Sequence, residues 1–175
     1  MSGADGQPPP ALSSHASGAD VVGYDEQSEV EVDVECLVDL ARGVLGAEGL
    51  PGGCELSLRL VDEDAMTVLN RDHMDGDGPT DVLAFPIDGL DAAAGGAPAG
   101  GAPGMPLLLG DVVVCPAVAR RNAVARGAGT GDELALLVVH GILHLLGMDH
   151  AERDEAAAMQ ARQRALLTEL RASDG

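Results

Sequence analysis

The sequence predicts a single domain in which helices and strands are interleaved, and three stretches carry that expectation. ELSLRLV (55–61) alternates polar and apolar residues with period two, the pattern of a strand with one buried face. LLLGDVVVC (107–115) is a nearly continuous apolar run, which fits a central strand interrupted by Gly110 and Asp111. Asp132 to Val139 contains no glycine or proline and reads as a buried helix carried through to about Leu146. A chain of 175 residues is long enough to bury one real core and no more than one domain is needed.

The remaining elements follow in order. Residues 1–20 are rich in Gly, Pro, Ser and Ala with nothing to bury, so they read as a disordered extension ahead of a domain at 21–172. Val21 to Tyr24 is a short strand candidate. From Asp33, a plausible N-cap, the apolar positions Val34, Leu37, Val38, Ala41, Val44 and Leu45 recur with helical period, and Gly46 or Gly49 ends the run. Asp62 to His73 is a second helix. Thr80 to Pro86 is a short strand closed by proline, preceded by the turn cluster 75–79. Residues 88–106 form a Gly/Ala/Pro stretch that reads as a flexible loop. Pro116 is placed to open a helix bearing Arg120, Arg121 and Arg126. A last amphipathic helix, Glu152 to Leu170, frames the histidine-bearing one.

The composition narrows the function classes. A net charge of −19 opposes broad, nonspecific nucleic-acid affinity, since phosphate binding is driven by Lys and Arg. One Tyr, one Phe and no Trp leave no obvious platform for stacking single-stranded bases. Cys36, Cys54 and Cys115 lack metal-type spacing and read as buried, reduced thiols, which suggests the cytoplasm. No membrane partner is expected, because no apolar run reaches spanning length.

HGILHLLGMDH (140–150) carries the chemistry. Residues four apart on a helix lie on one face, so His140 and His144 can offer imidazoles to one ion. Gly147 is the expected helix stop, after which the chain can bring His150 back to the same point. Three imidazoles with a position left for water is the ligand count of a catalytic zinc site. The zinc-protease helix motif places a Glu directly after the first His as general base; Gly141 stands there instead, so any base must come from elsewhere.

Outside the histidines, Arg59 is the sole basic residue on its strand. It is either a solvated outward residue or, if that face is a cleft, a clamp for a phosphate. Asp111 interrupts an apolar strand, which is costly unless the carboxylate is paired or functional. Asp149 is a helix-end residue or a partner holding an imidazole. Thr80 and Asp81 cap a turn or line the cleft.

Together these segments resemble one known family. HGILHLLGMDH is similar to the H-G-x-L-H-L-x-G-x-D-H signature of the YbeY endoribonucleases, and SLRLVDEDAM (57–66), GPTDVLAFP (78–86) and LLGDVVVC (108–115) resemble its other motifs in the same order. The resemblance spans about residues 20 to 170. It implies an α+β fold, a small mixed sheet of about four strands with about five helices and a metal-binding helix lining a cleft. It further implies one zinc ion on His140, His144 and His150 and Arg59 facing phosphate; Asp111, from its place in the apolar strand, is a second candidate catalytic residue beside Arg59. The substrate implied is single-stranded RNA rather than DNA, notably the 3′ end of the small-subunit ribosomal RNA precursor. The small ribosomal subunit and its assembly proteins are the implied partners, in maturation and quality control. Met148 stands where the family commonly has Tyr. Two other readings stay open: a metallohydrolase of another class, and a non-catalytic assembly factor with a structural metal.

Overall fold

The structure is a computed structural model and describes residues 18–50, 53–87, 107–148 and 152–173. The loop expected at 88–106, most of the expected 1–20 extension, and both Asp149 and His150 lie outside the described residues. In chain order the elements are β1 (Asp20–Glu26), α1 (Val34–Ala47), β2 (Cys54–Val61), α2 (Glu63–Met74), β3 (Val82–Pro86), β4 (Leu107–Val114), α3 (Pro116–Arg126), α4 (Thr130–Leu145) and α5 (Arg153–Ser173). The strands form one sheet in the order β1-β2-β4-β3, with β3 antiparallel to β4 and the other pairs parallel. The expected α+β domain with a mixed four-stranded sheet and five helices is what the described residues adopt.

Local chemistry sets the helix ends. Asp33 accepts a hydrogen bond from the Cys36 amide at 3.1 Å, and Asp62 accepts one from the Ala65 amide at 2.8 Å, so both side chains satisfy amides that the first turn leaves open. Pro116 sits in the first turn of α3, where its missing N–H costs nothing. The strand β1 begins at Asp20, and Ala19 ahead of it is already buried.

The core lies on one face of the sheet. Leu56, Leu58 and Leu60 of β2 point into it with Val112 and Val114 of β4, against Leu45 of α1 and Ile142 of α4. Each such fully buried side chain contributes roughly 1.5–3 kcal/mol. The opposite face carries a smaller cluster, in which Met66 of α2 covers Val61, Leu83 and Val113. Around β1 and the start of β2 this second face stays uncovered, leaving Val22 and Tyr24 exposed.

Two details correct the sequence reading. Cys36 is exposed, because it sits in the first turn of α1 on the side away from the sheet; only Cys54 and Cys115 are buried. In β4 the register slips next to Leu109, and Gly110 adopts φ +136° with no room for a side chain, since a Cβ there would lie 2.2 Å from the Phe85 carbonyl oxygen. The glycine therefore marks a bulge in an unbroken strand.

Candidate metal centre

The helix α4 is apolar on nearly every side, as a helix packed between a sheet and other helices must be. Gly141 shows how closely it lies: a Cβ at this position would stand 2.6 Å from Val112 Cγ1 and 3.2 Å from Val82 Cγ2. The carboxylate of the zinc-protease motif is thus excluded by packing as well as by sequence. Because Gly141 faces the sheet, His140 and His144 turn towards the partly open side of the helix, where both are half-buried.

Their Nε2 atoms converge to 3.0 Å, with ring centroids 4.5 Å apart and planes crossed at 76°. Two nitrogens bound tetrahedrally to one zinc stand about 3.3 Å apart, so the pair is within a few tenths of an ångström of what such an ion requires. On the far side of the first ring, His140 Nδ1 donates to Gln163 Oε1 of α5 at 2.5 Å. With Gln163 Oε1 accepting, the proton sits on Nδ1 and Nε2 is the nitrogen turned towards His144, the outer-shell arrangement that metal-binding histidines commonly have. Gln163 is itself buried. The donor set fits zinc as far as it is described; among the described residues no three acidic, histidine or cysteine side chains gather to hold an ion.

The end of the helix is fixed as firmly. Gly147 adopts φ +93°, its amide donates to the His144 carbonyl at 3.0 Å, and the Met148 amide donates to the Leu143 carbonyl at 3.0 Å. These two bonds form the glycine-dependent Schellman stop.

Arg59 and Asp111 lie elsewhere. In register, Leu58 pairs with Val112, which touches α4, whereas Arg59 pairs with Val113 and Asp111 with Ser57 and Phe85. Arg59 and Asp111 therefore share the face of the sheet opposite to the histidines. Arg59 Nε donates to Glu26 Oε2 at 2.8 Å, and that hydrogen bond, helped by the charges of Glu26 and Asp111, holds the guanidinium proton more firmly than usual despite partial burial. Tyr24 pairs with Arg59 across β1 and β2, so the chain's two aromatic residues, Tyr24 and Phe85, stand on this same face. Phe85 also meets the His73 ring edge-on, at 4.9 Å between centroids.

A cavity of about 390 Å³ opens beside His140, between α4, α5 and the start of β3. Asp81 reaches it, and does both things the sequence left open: it lines the cavity, and its Oδ1 accepts from the Val82 amide at 2.8 Å. Two further residues there were not singled out from the sequence. Glu133 lies seven residues before His140 on the same helix face, a spacing that was legible; Gln163 belongs to α5, and nothing in its own segment announces it.

The comparisons with known proteins agree in one direction. The pattern of the family described as Endoribonuclease YbeY matches residues 23–171. A Salinispora tropica protein named Endoribonuclease YbeY is 49% identical over 155 residues, covering 84% of this chain and 94% of the relative. One of the same name from Acidothermus cellulolyticus is 52% identical over 156 residues, covering 83% and 88%. A Thermotoga maritima protein solved in solution shares the fold at a TM-score of 0.54, with 24% identity, 89% of this chain and 93% of that one.

Proposed function

Because the chain belongs to the Endoribonuclease YbeY family, we propose that it cleaves single-stranded RNA at a zinc centre held by His140, His144 and His150. The substrate in this reading is the 3′ end of the small-subunit ribosomal RNA precursor, met on the small subunit among its assembly proteins, with a further part in ribosome quality control. The observation that carries the zinc centre is the 3.0 Å convergence of the two Nε2 atoms with the outer ring nitrogen of His140 tied to Gln163.

Zinc bound there supplies Lewis-acid polarisation of a phosphoryl oxygen and makes water a nucleophile near neutral pH. The chain's own residues supply position. Gln163 holds the His140 ring in one tautomer and orientation, α4 holds His144 one turn on, and the glycine stop after Leu146 turns the chain for His150. Arg59, across the sheet, serves as a contact for the RNA backbone; its exposed pair with Glu26 is weak enough for a phosphate to replace. With a net charge of −19 the protein binds free RNA weakly and relies on a ribosomal partner to present it.

The test is cleavage of a labelled precursor RNA by wild type and His144→Ala, purified alike and checked by circular dichroism. Cutting by wild type alone, stopped by a chelator, supports the reading. Equal cutting by both exposes a contaminating nuclease. An unfolded His144→Ala variant moves the weight to a structural metal.

A further inference from the structure

The cavity beside His140 is lined by a cation that nothing in the described fold neutralises. In this chain 29 acidic residues face 10 basic ones, and most of its arginines sit within ion-pair distance of a carboxylate. Arg164 of α5 is exposed and makes neither an ion pair nor a hydrogen bond among the described residues, yet it lines the cavity. Ala156, Gln160, Gln163 and Arg164 recur at helical spacing, so one face of α5 carries both the His140 contact and this guanidinium. Arg126 lines the cavity from the last turn of α3. Its Nη1 donates to Glu133 Oε2 at 3.3 Å, long for a charge-assisted bond, and its side chain is 58% exposed. The two carboxylates of the lining are turned to internal work. Glu133 is only 3% exposed, and Asp81 accepts from the Val82 amide at 2.8 Å and from Asn122 Nδ2 at 3.3 Å. The charge that the cavity offers to solvent is therefore chiefly that of the two guanidinium groups.

Resting on the endoribonuclease reading, we propose that Arg164, with Arg126 across the cavity, holds the RNA phosphate adjoining the one being cleaved. Among the described residues the lining includes His140 and not His144, so the cavity lies to one side of the point where the two Nε2 atoms converge. A group bound in it is a neighbour of the group that the histidine pair faces, and along an RNA strand that neighbour is the next phosphate. A guanidinium fork matches phosphate oxygens bidentately, and two forks from different helices fix a linkage in direction as well as in place. The volume of about 390 Å³ falls within the usual size of small-molecule sites, roughly 300–1,000 Å³, which leaves room for the attached sugar. Arg164 follows Gln163 in the chain, so one turn of α5 sets both the His140 ring and the linkage presented to it.

The experiment neutralises the phosphate as well as the protein. Metal-loaded wild type, Arg164→Gln and Arg153→Gln cleave a short single-stranded RNA with one mapped cut; Arg153 is an exposed α5 arginine outside the cavity lining. A matched series of RNAs carries an uncharged methylphosphonate at each linkage around the cut in turn. In wild type, neutralising one fixed linkage beside the cut lowers kcat/KM by about tenfold, the size of one charge-assisted hydrogen bond. Arg164→Gln loses about tenfold on the all-phosphate RNA and less than about twofold more when that linkage is neutral, because both changes remove the same contact. Arg153→Gln behaves as wild type. A wild-type kcat/KM in Arg164→Gln, an undiminished penalty for the neutral linkage in that variant, or an equal loss in Arg153→Gln overturns the proposal and leaves the nuclease reading intact. If wild type cuts nothing, the nuclease reading fails, and calorimetric titration with adenosine 3′,5′-bisphosphate, one nucleotide carrying both backbone phosphates, decides the site. Binding weakened about tenfold in Arg164→Gln and unchanged in Arg153→Gln supports it; no binding, or equal binding by all three proteins, overturns it.

Discussion

The two faces of the sheet hold their polar groups by different means. On the core face, α4 lies against β3 and β4 so closely that glycine alone fits at 141, and Gln163 and Glu133 are sealed in place by α5 and α3. On the opposite face, beyond the reach of α2, Arg59 stands with Ser57, Asp111 and Tyr24 on open strand surface, its geometry resting on one exposed ion pair. Groups that must keep a fixed geometry belong where packing allows no alternative rotamer, and groups that meet a long flexible chain belong where a weak pair can be exchanged. The difference teaches that the His140–His144 pair is preorganised, whereas the Arg59 face adapts.

The sharpest break is His144→Ala. Activity on precursor RNA falls by at least about 100-fold, while the circular dichroism spectrum and urea midpoint stay near wild type, because the ring lies at the half-open edge of α4. Gly141→Ala tests the packed face itself. It costs about 1–3 kcal/mol in urea unfolding through overpacking against Val112, and Val112→Ala in the same chain restores part of that loss. An unperturbed Gly141→Ala protein would show that the helix can move off the sheet.

Gln163→Leu weakens zinc affinity by roughly 10–100-fold without unfolding, as loss of a bond to a ligand's outer nitrogen does; competition with a chromogenic chelator measures it. Arg59→Ala sharpens the comparison in the other direction. KM rises several-fold with kcat within about twofold, the signature of uniform substrate binding. An equal loss in kcat would mean that Arg59 reaches the reacting phosphate and that the two faces act as one site.

The smallest effect separates the thiols. Burial raises the pKa of Cys54 and Cys115 above the ordinary 9.0, so both hold their protons more firmly in the folded protein than in the unfolded chain, whereas Cys36 is exposed to reagent. Iodoacetamide at pH 8 labels Cys36 first, and the other two only after unfolding. Because the folded state holds these two protons more tightly than the unfolded state, the stabilisation is complete below about pH 9 and is lost as pH rises through the folded-state values.

Much of this was legible in the sequence. Period-two alternation placed Arg59 opposite Leu58 and Leu60, the spacing of His140 and His144 put two imidazoles on one helix face, and Asp33, Asp62, Pro116 and Gly147 marked helix ends, because each depends on interactions within a few residues. The sheet order, and hence the separation of Arg59 from the histidines, was not legible, since strand pairing joins segments far apart in the chain and the turn of one strand about its neighbour decides which side chains share a face. The same holds for Gln163 on His140 and for the Glu133 oxygen that has no partner among the described residues. Only the docking of α5 and α3 on α4 brings those atoms together, and what a buried polar group lacks becomes visible only when the packing around it is complete.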